Sequence, residues 1–149
     1  VAVSGEKRLT RSATTTGLAG EYLTAAVILE LGWRVSPAQQ DSVDLVAWNS
    51  DGVFMRVQVK SAHLRRQKHH NPCYQFQNGS GRVKKTLPSL EQFDILAHCA
   101  IDARKVHFQA ACCVNQYSQR RPLGWFETPD LELDSWERAY EIVMETRNG

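Results

Sequence analysis

The 149-residue sequence contains no apolar run approaching the ~20 residues that a membrane-spanning helix requires, so no membrane partner is expected. Its first residues show no secretory pattern: Glu6, Lys7, Arg8 and Arg11 interrupt them and no apolar stretch follows, which predicts an intracellular, cytoplasmic location. No Cys-x-x-Cys pair occurs among Cys73, Cys99, Cys112 and Cys113, so all four are read as reduced. Cys99 and Cys112 fall in apparent strands, where a free thiol acts as a small hydrophobe. A zinc site from His69, His70 and Cys73 lacks a fourth ligand at the usual spacing. Internal repeats and a second-domain boundary are also missing. With 42% hydrophobic and 23% charged residues, the chain reads as one globular domain over 1–149 with room for a core.

Acidic residues are absent from Ser61 to Leu90, although the same stretch carries Arg65, Arg66, Lys68, Arg82, Lys84 and Lys85 with His63, His69 and His70. Seven acids against Arg138 alone occupy Glu127 to Glu145. The net charge of +2 therefore hides a basic face suited to a polyanion and an acidic end away from it.

The central stretch is Asp44 to Lys60. Asp51-Gly52 is a strong turn signal between two β-rich runs, and the pattern predicts a hairpin. On its second strand Val53, Met55, Val57 and Val59 share one face, while Phe54, Arg56, Gln58 and Lys60 share the other. Pairing Ser50 with Val53 sets Asp44 opposite Val59; pairing Asn49 with Val53 sets it opposite Gln58. In either register a carboxylate, an amide oxygen and an ammonium converge within neighbouring strands ~5 Å apart, a seat for a divalent cation and an activated water.

Before the hairpin, residues 1–13 read as a loose polar arm and Thr14–Thr16 as the cap of a helix from Gly17 to Leu31, with Gly32 as its stop. Leu18, Tyr22, Ala25, Ala26 and Leu29 recur at helical spacing as its core face. Gly17, Ala19 and Gly20 keep the first turn small enough for close approach. Glu21 either favours the helix dipole or points back at the sheet. Trp33–Val35 begins a strand, and Pro37 to Asp41 reads as a loop. Residues 62–87 form a long basic connection in which Tyr74 and Phe76 alternate with polar residues. Phe93–Ile101 and Val106–Val114 form a second hairpin. After an irregular link framed by Pro122 and Pro129, Asp134 and Glu137 read as a capping box for a closing helix to Thr146. The order predicts an α/β fold with a central mixed β-sheet flanked by helices.

A helix acid (Glu21), an Asp at the start of a strand (Asp44) and Gln58-Val59-Lys60 on the next strand resemble the motifs of the PD-(D/E)xK nuclease superfamily over residues 15 to 102. The likeness extends to Gly17-x-x-Gly20-Glu21, to Ser61 and to Phe93-Asp94. Within the superfamily the pattern is most similar to group I intron-associated homing endonucleases, which can carry Gln in the third motif, and next to archaeal-type Holliday junction resolvases. The resemblance implies a restriction-endonuclease-like core and a Mg²⁺-dependent DNA endonuclease, with Mn²⁺ as a substitute. It implies Glu21, Asp44, Gln58 and Lys60 as catalytic residues, and a metal held by Asp44, Gln58, the Val59 carbonyl and Glu21. Lys60 would orient water or stabilise phosphorane charge. Ser61, Arg65, Arg66, Lys68, Arg82, Lys84 and Lys85 would contact DNA. One site per chain implies a homodimer or higher homo-oligomer for double-strand cutting. Two departures stand out: an amide replaces the third-motif acid, and Val43 replaces the proline before Asp44. The amide also leaves open a DNA-binding module that kept the fold without the activity, and the basic loop does not distinguish DNA from RNA.

Overall fold

A computed structural model describes residues 12–81 and 83–149, apart from the Gln39 side chain. Its elements in chain order are α1 (Ala13–Glu30), β1 (Arg34–Gln40), β2 (Val43–Trp48), β3 (Phe54–Ala62), β4 (Cys73–Gln77), β5 (Ile95–Ala100), β6 (Lys105–Ala110), β7 (Ser118–Pro122) and α2 (Leu131–Asn148), with 3-10 turns at Ala111–Cys113 and Leu123–Glu127. Five strands form a mixed sheet in the order β1-β2-β3-β5-β6, and β4 and β7 form a separate antiparallel pair. Only the β3–β5 pairing of the large sheet is parallel.

Both helices pack on one face of this sheet. Ile28 of α1 and Trp136, Ala139 and Val143 of α2 share a core with Leu45, Met55, Val57, Ile95, Ala97, Cys99 and Phe108. Trp33 meets Trp136 edge-on at 5.2 Å, locking the end of α1 to α2. On the opposite face, Ala62 and Ala100 are covered by Tyr74 and Phe76 of β4 and by Phe126. The open edge of β6 is closed by α2: Glu132 accepts the Val106 N–H at 3.0 Å and Ser135 the Phe108 N–H at 3.1 Å. Behind β3, the buried Asp94 carboxylate takes the Arg56 N–H at 2.7 Å and two guanidinium nitrogens of Arg56 at 3.2 Å, and ion-pairs with Arg147. No helix among the described residues is long and apolar enough to cross a membrane.

The central hairpin forms with Trp48 opposite Phe54, the register that extends Asp44 toward Gln58. Gly52 takes φ +77°, and the Asn49 side chain accepts the Asp51 and Val53 N–H groups, closing the turn. The second hairpin joins β5 to β6 as expected.

Several local expectations are corrected. The helix starts earlier, with Ser12 as N-cap accepting from the Thr15 N–H at 3.1 Å. Residue 13 thus belongs to α1 and residue 12 caps it, and the rest of the expected arm lies outside the described residues. The buried face of α1 is Gly20, Thr24 and Ile28, whereas Leu18, Tyr22 and Leu29 are exposed. The helix is apolar almost all round, so spacing alone does not choose a face; close contact with the sheet selects the small residues. Pro37 to Gln40 continues β1 rather than looping, because β1 is an edge strand whose bulge tolerates proline. Cys112 lies exposed in a 3-10 turn, not in a strand. Closing helix α2 begins at Leu131, with Asp130 at φ 57° and no side-chain cap. Contacts of Leu131 and Glu132 with the body of the protein override the capping box at Asp134. Strand β7 was not expected, since its inward residue is Arg121 rather than an apolar one.

Candidate active site

The ladder between β2 and β3 runs from Trp48↔Phe54 to Leu45↔Val57 and stops there. The next residue of β2 is Asp44, and its Oδ2 accepts the Val59 N–H at 2.7 Å. A side-chain carboxylate thus stands where a ladder carbonyl would, and fixes itself against β3. In a strand, one residue's N–H and C=O leave by the same edge, so the Val59 carbonyl faces the same gap.

Glu21 reaches this gap from α1. Its placement depends on Gly20, which lies directly on Ser61 of β3. The Glu21 and Asp44 carboxyls share a hydrogen bond. Burial first, then the Asp44 charge and that hydrogen bond, hold Glu21 above the usual carboxylate range. Two carboxyl groups this close favour a shared proton or a cation between them.

Gln58 and Lys60 project from β3 on the side of Leu96 and His98, their partners across the parallel ladder. Gln58 is buried, and its Oε1 has no hydrogen-bond partner. Burial lowers the Lys60 ammonium from its ordinary value; the Asp44 charge offsets part of this, and Lys85 lowers it further. Asp44 therefore acts on both Glu21 and Lys60, and the basic loop brings Lys85 close enough to act on Lys60.

Behind Lys60 lies a polar cluster that sequence reasoning missed. The His98 ring stacks on Phe76 at 4.2 Å and 4°. Its Nδ1 accepts from the Arg121 Nε at 3.3 Å, because that nitrogen only donates; its Nε2–H therefore donates to the Asn78 Oδ1 at 2.6 Å. Burial holds His98 well below its ordinary pKa, with Arg121, His107 and Lys60 adding to the effect. A neutral His98 is thus wedged beside Lys60 without adding a second charge. Asn78 had the look of a turn residue in Asn78-Gly-Ser-Gly81, so the sequence offered no sign of its burial.

Of the residues singled out from sequence, Glu21, Asp44, Val59 and Lys60 come together here, and Gln58 lies just before the last two along β3, on the Lys60 side. Arg65, Arg66, Lys68, Lys84 and Lys85 are exposed. Arg82 lies outside the described residues. Ser61 is corrected: its hydroxyl is buried beneath Gly20 with no hydrogen-bond partner, facing α1 and not an open groove. Among the described residues no three His, Cys, Asp or Glu side chains group as metal ligands.

No protein-family model matches the sequence, nor does any curated protein at a significant level. Among solved structures, the chain is similar to a bacterial homing endonuclease, I-Ssp6803I, with a TM-score of 0.66 and 18% identity over 93% of this chain and 97% of that one. The shared feature is the fold, which in this chain is a central five-stranded mixed sheet with its helices.

Proposed function

We propose that the protein is a metal-dependent DNA endonuclease that hydrolyses phosphodiester bonds. The observation that carries this reading is the meeting of Glu21 and Asp44 beside the half-buried Lys60, at the edge of an acid-free basic loop. The fold likeness to a bacterial homing endonuclease supports it and favours the homing type.

The residues fit Mg²⁺, or Mn²⁺ in its place. Two paired carboxyls supply hard anionic oxygens, and the orphaned Gln58 Oε1 supplies a neutral one whose burial is otherwise uncompensated. Asp44 and Gln58 would hold the ion with the Val59 carbonyl, and Glu21 would hold it directly or through water. When bound, the ion would polarise the scissile phosphate and make a water nucleophilic near neutral pH.

The chain's own residues do the remaining work. Asp44 is pinned by the Val59 N–H, so its second oxygen stays aimed into the gap. Lys60 donates hydrogen bonds to the attacking water or to a non-bridging phosphate oxygen, where charge grows in the transition state. Its partial burial strengthens that interaction. Lys84, Lys85, Arg66 and Lys68 hold the backbone through sequence-blind contacts.

Each chain has one such site, so cutting both strands requires at least a dimer. Leu18, Tyr22 and Leu29 form an exposed apolar stripe on α1 that supports self-association. Sedimentation of wild type against Tyr22→Glu tests it.

The function is tested with a supercoiled plasmid and a four-way junction, each incubated with Mg²⁺ or Mn²⁺. Wild type is expected to nick or linearise the plasmid, and Lys60→Ala to fall by about 10²- to 10³-fold, as for loss of one charge-stabilising donor. Preference for the junction would instead favour a Holliday junction resolvase. Tight DNA binding without cleavage of either substrate would favour the non-catalytic module.

A further inference from the structure

The β4–β7 pair has two faces with different chemistry. Inward, Tyr74, Phe76 and Arg121 are buried against Phe126 and His98. Outward, Gln75 lies directly opposite Arg120, and Gln77 opposite Ser118. Arg65 joins this outer face through a bridge to Cys73, its backbone N–H donating to the Cys73 carbonyl at 2.8 Å. The Arg65 Nη1 donates to the Gln75 Oε1 at 2.8 Å, and the Gln75 Nε2 donates to the Ser118 Oγ at 3.1 Å. Gln77, Ser118 and Arg120 are exposed.

Both strands come from acid-free runs, 61–90 and 103–126. Yet their outer face carries no lysine, and two of its side chains are neutral amides. Arginine, glutamine and serine bond phosphates as well as bases, but the lysines, which act as point charges, sit in the loops instead, at 68, 84 and 85, and leave this face as a composition of planar forks and amides. It is the composition that reads base edges: Arg forks onto guanine O6 and N7, and Gln pairs with adenine N6 and N7. A two-stranded ribbon fits the major groove, and five residue pairs span ~17 Å, about five base pairs. The ribbon is also anchored beside the candidate active site. Phe76 stacks on His98, the ladder partner of Lys60, and the chain leaves β4 through Asn78 and Gly79 toward Lys85.

We propose that the outer face of the β4–β7 ribbon enters the DNA major groove and reads base pairs next to the cleavage position, with Arg120 and Gln77 as reading residues. Gln75 holds Arg65 and Ser118 in position for the same groove. The inference rests on the endonuclease reading above, but it assigns sequence choice to a surface distinct from the catalytic residues.

A randomised duplex library is selected with wild-type protein in Ca²⁺, and the enriched duplex is compared with a random-sequence duplex. Arg120→Ala and Gln77→Ala are expected to weaken binding to the enriched duplex by roughly 10- to 100-fold. Binding to the random duplex is expected to change by at most about twofold, with the enriched motif relaxed at the positions read. Arg120→Lys keeps the charge but loses the fork, and is expected to behave like Arg120→Ala on the enriched duplex. Lys84→Ala and Lys85→Ala are expected to weaken both duplexes alike and each to lower the salt slope by about 1. Matched melting temperatures establish that the variants fold. The inference is overturned if ribbon variants select the same motif at undiminished affinity, or lose both duplexes equally. Wild type that binds duplex DNA without enriching any motif overturns it alone. Wild type that retains no DNA overturns the endonuclease reading with it.

Discussion

Gly20 of α1 lies so close to Ser61 of β3 that a methyl group on it would fall 1.6 Å from the Ser61 hydroxyl oxygen and 2.8 Å from its Cβ. The contact sets the height of the helix above the sheet, and so the reach of Glu21, one residue on. Gly20→Ala gains ~1 kcal/mol of helix propensity but incurs an overpacking cost of ~1–3 kcal/mol or more. The expected result is a net loss of stability and a larger loss of cleavage, as Glu21 moves away from Asp44. Removing Ser61's side chain clears both clashing atoms, so Gly20→Ala with Ser61→Gly is expected to recover part of the stability and activity. Denaturant midpoints and cleavage rates of the two single variants and the double variant check this; simple additivity would contradict it.

Glu21, facing Asp44, contributes less to the stability of the metal-free protein at neutral pH than in mild acid. Glu21 holds its proton more tightly when folded than the ordinary value of 4.5 implies. Its stabilising contribution is therefore greatest below that value, and is lost as pH rises through the raised folded pKa. Glu21→Gln removes the ionisation and is expected to raise the Tm of metal-free protein at pH 7 by about 1–4 °C. In wild type, Mn²⁺ at about 100 times its Kd is expected to add ~2.7 kcal/mol of stability, and Glu21→Gln to lose most of that gain. Thermal melts with and without Mn²⁺ measure both effects. A variant that melts lower without metal, yet keeps the full shift with it, would count against the pairing.

The reach of sequence reasoning differed between the two halves of this site. The hairpin was legible because its signals are local: a turn dipeptide and a strict alternation place Asp44, Gln58 and Lys60 without any tertiary information. Glu21 was less legible. The residues expected to bury the helix, Leu18, Tyr22 and Leu29, face solvent, and a glycine, a threonine and an isoleucine face the sheet instead. Hydrophobic spacing does not record that a sheet can require small residues. The β4–β7 ribbon was least legible. Its strands lie more than forty residues apart, and β7 turns an arginine inward, where Trp125 stacks on it at 4.8 Å and His98 accepts its hydrogen bond. No periodic signal marks a strand whose core residue is charged.

Cleavage is expected to follow a bell-shaped pH profile with limbs of known sign. The acid limb is expected from Glu21, whose raised proton affinity makes protons compete with the cation more strongly than at an ordinary carboxyl, so that it moves to lower pH as Mg²⁺ is raised. The alkaline limb belongs to Lys60 and lies below 10.5, because burial lowers it. Lys85 pushes Lys60 down, so Lys85→Ala is expected to move the alkaline limb to higher pH while leaving the acid limb in place. Rates across pH on a saturating DNA substrate separate this from loss of DNA affinity. An unmoved alkaline limb in Lys85→Ala would assign that limb to another group.

Gln58 offers the sharpest discrimination, because its amide oxygen is buried without a partner. Such an atom costs ~1–3 kcal/mol when nothing satisfies it. Gln58→Leu keeps the approximate volume and removes the orphan, so the metal-free protein is expected to gain up to ~2 kcal/mol. It would lose a ligand at the same time, weakening Mn²⁺ by ~10-fold, a change of ~1.4 kcal/mol, and cleavage by at least as much. Gln58→Glu reverses both signs. A third carboxylate beside Glu21 and Asp44 destabilises the metal-free protein at neutral pH through like-charge repulsion, and strengthens cation binding. Opposite shifts in Tm and in Mn²⁺ affinity between the two variants are the expected signature. Parallel shifts, or a Gln58→Leu protein with an unchanged Mn²⁺ response, would remove Gln58 from the metal site and leave the two carboxyls to hold the ion.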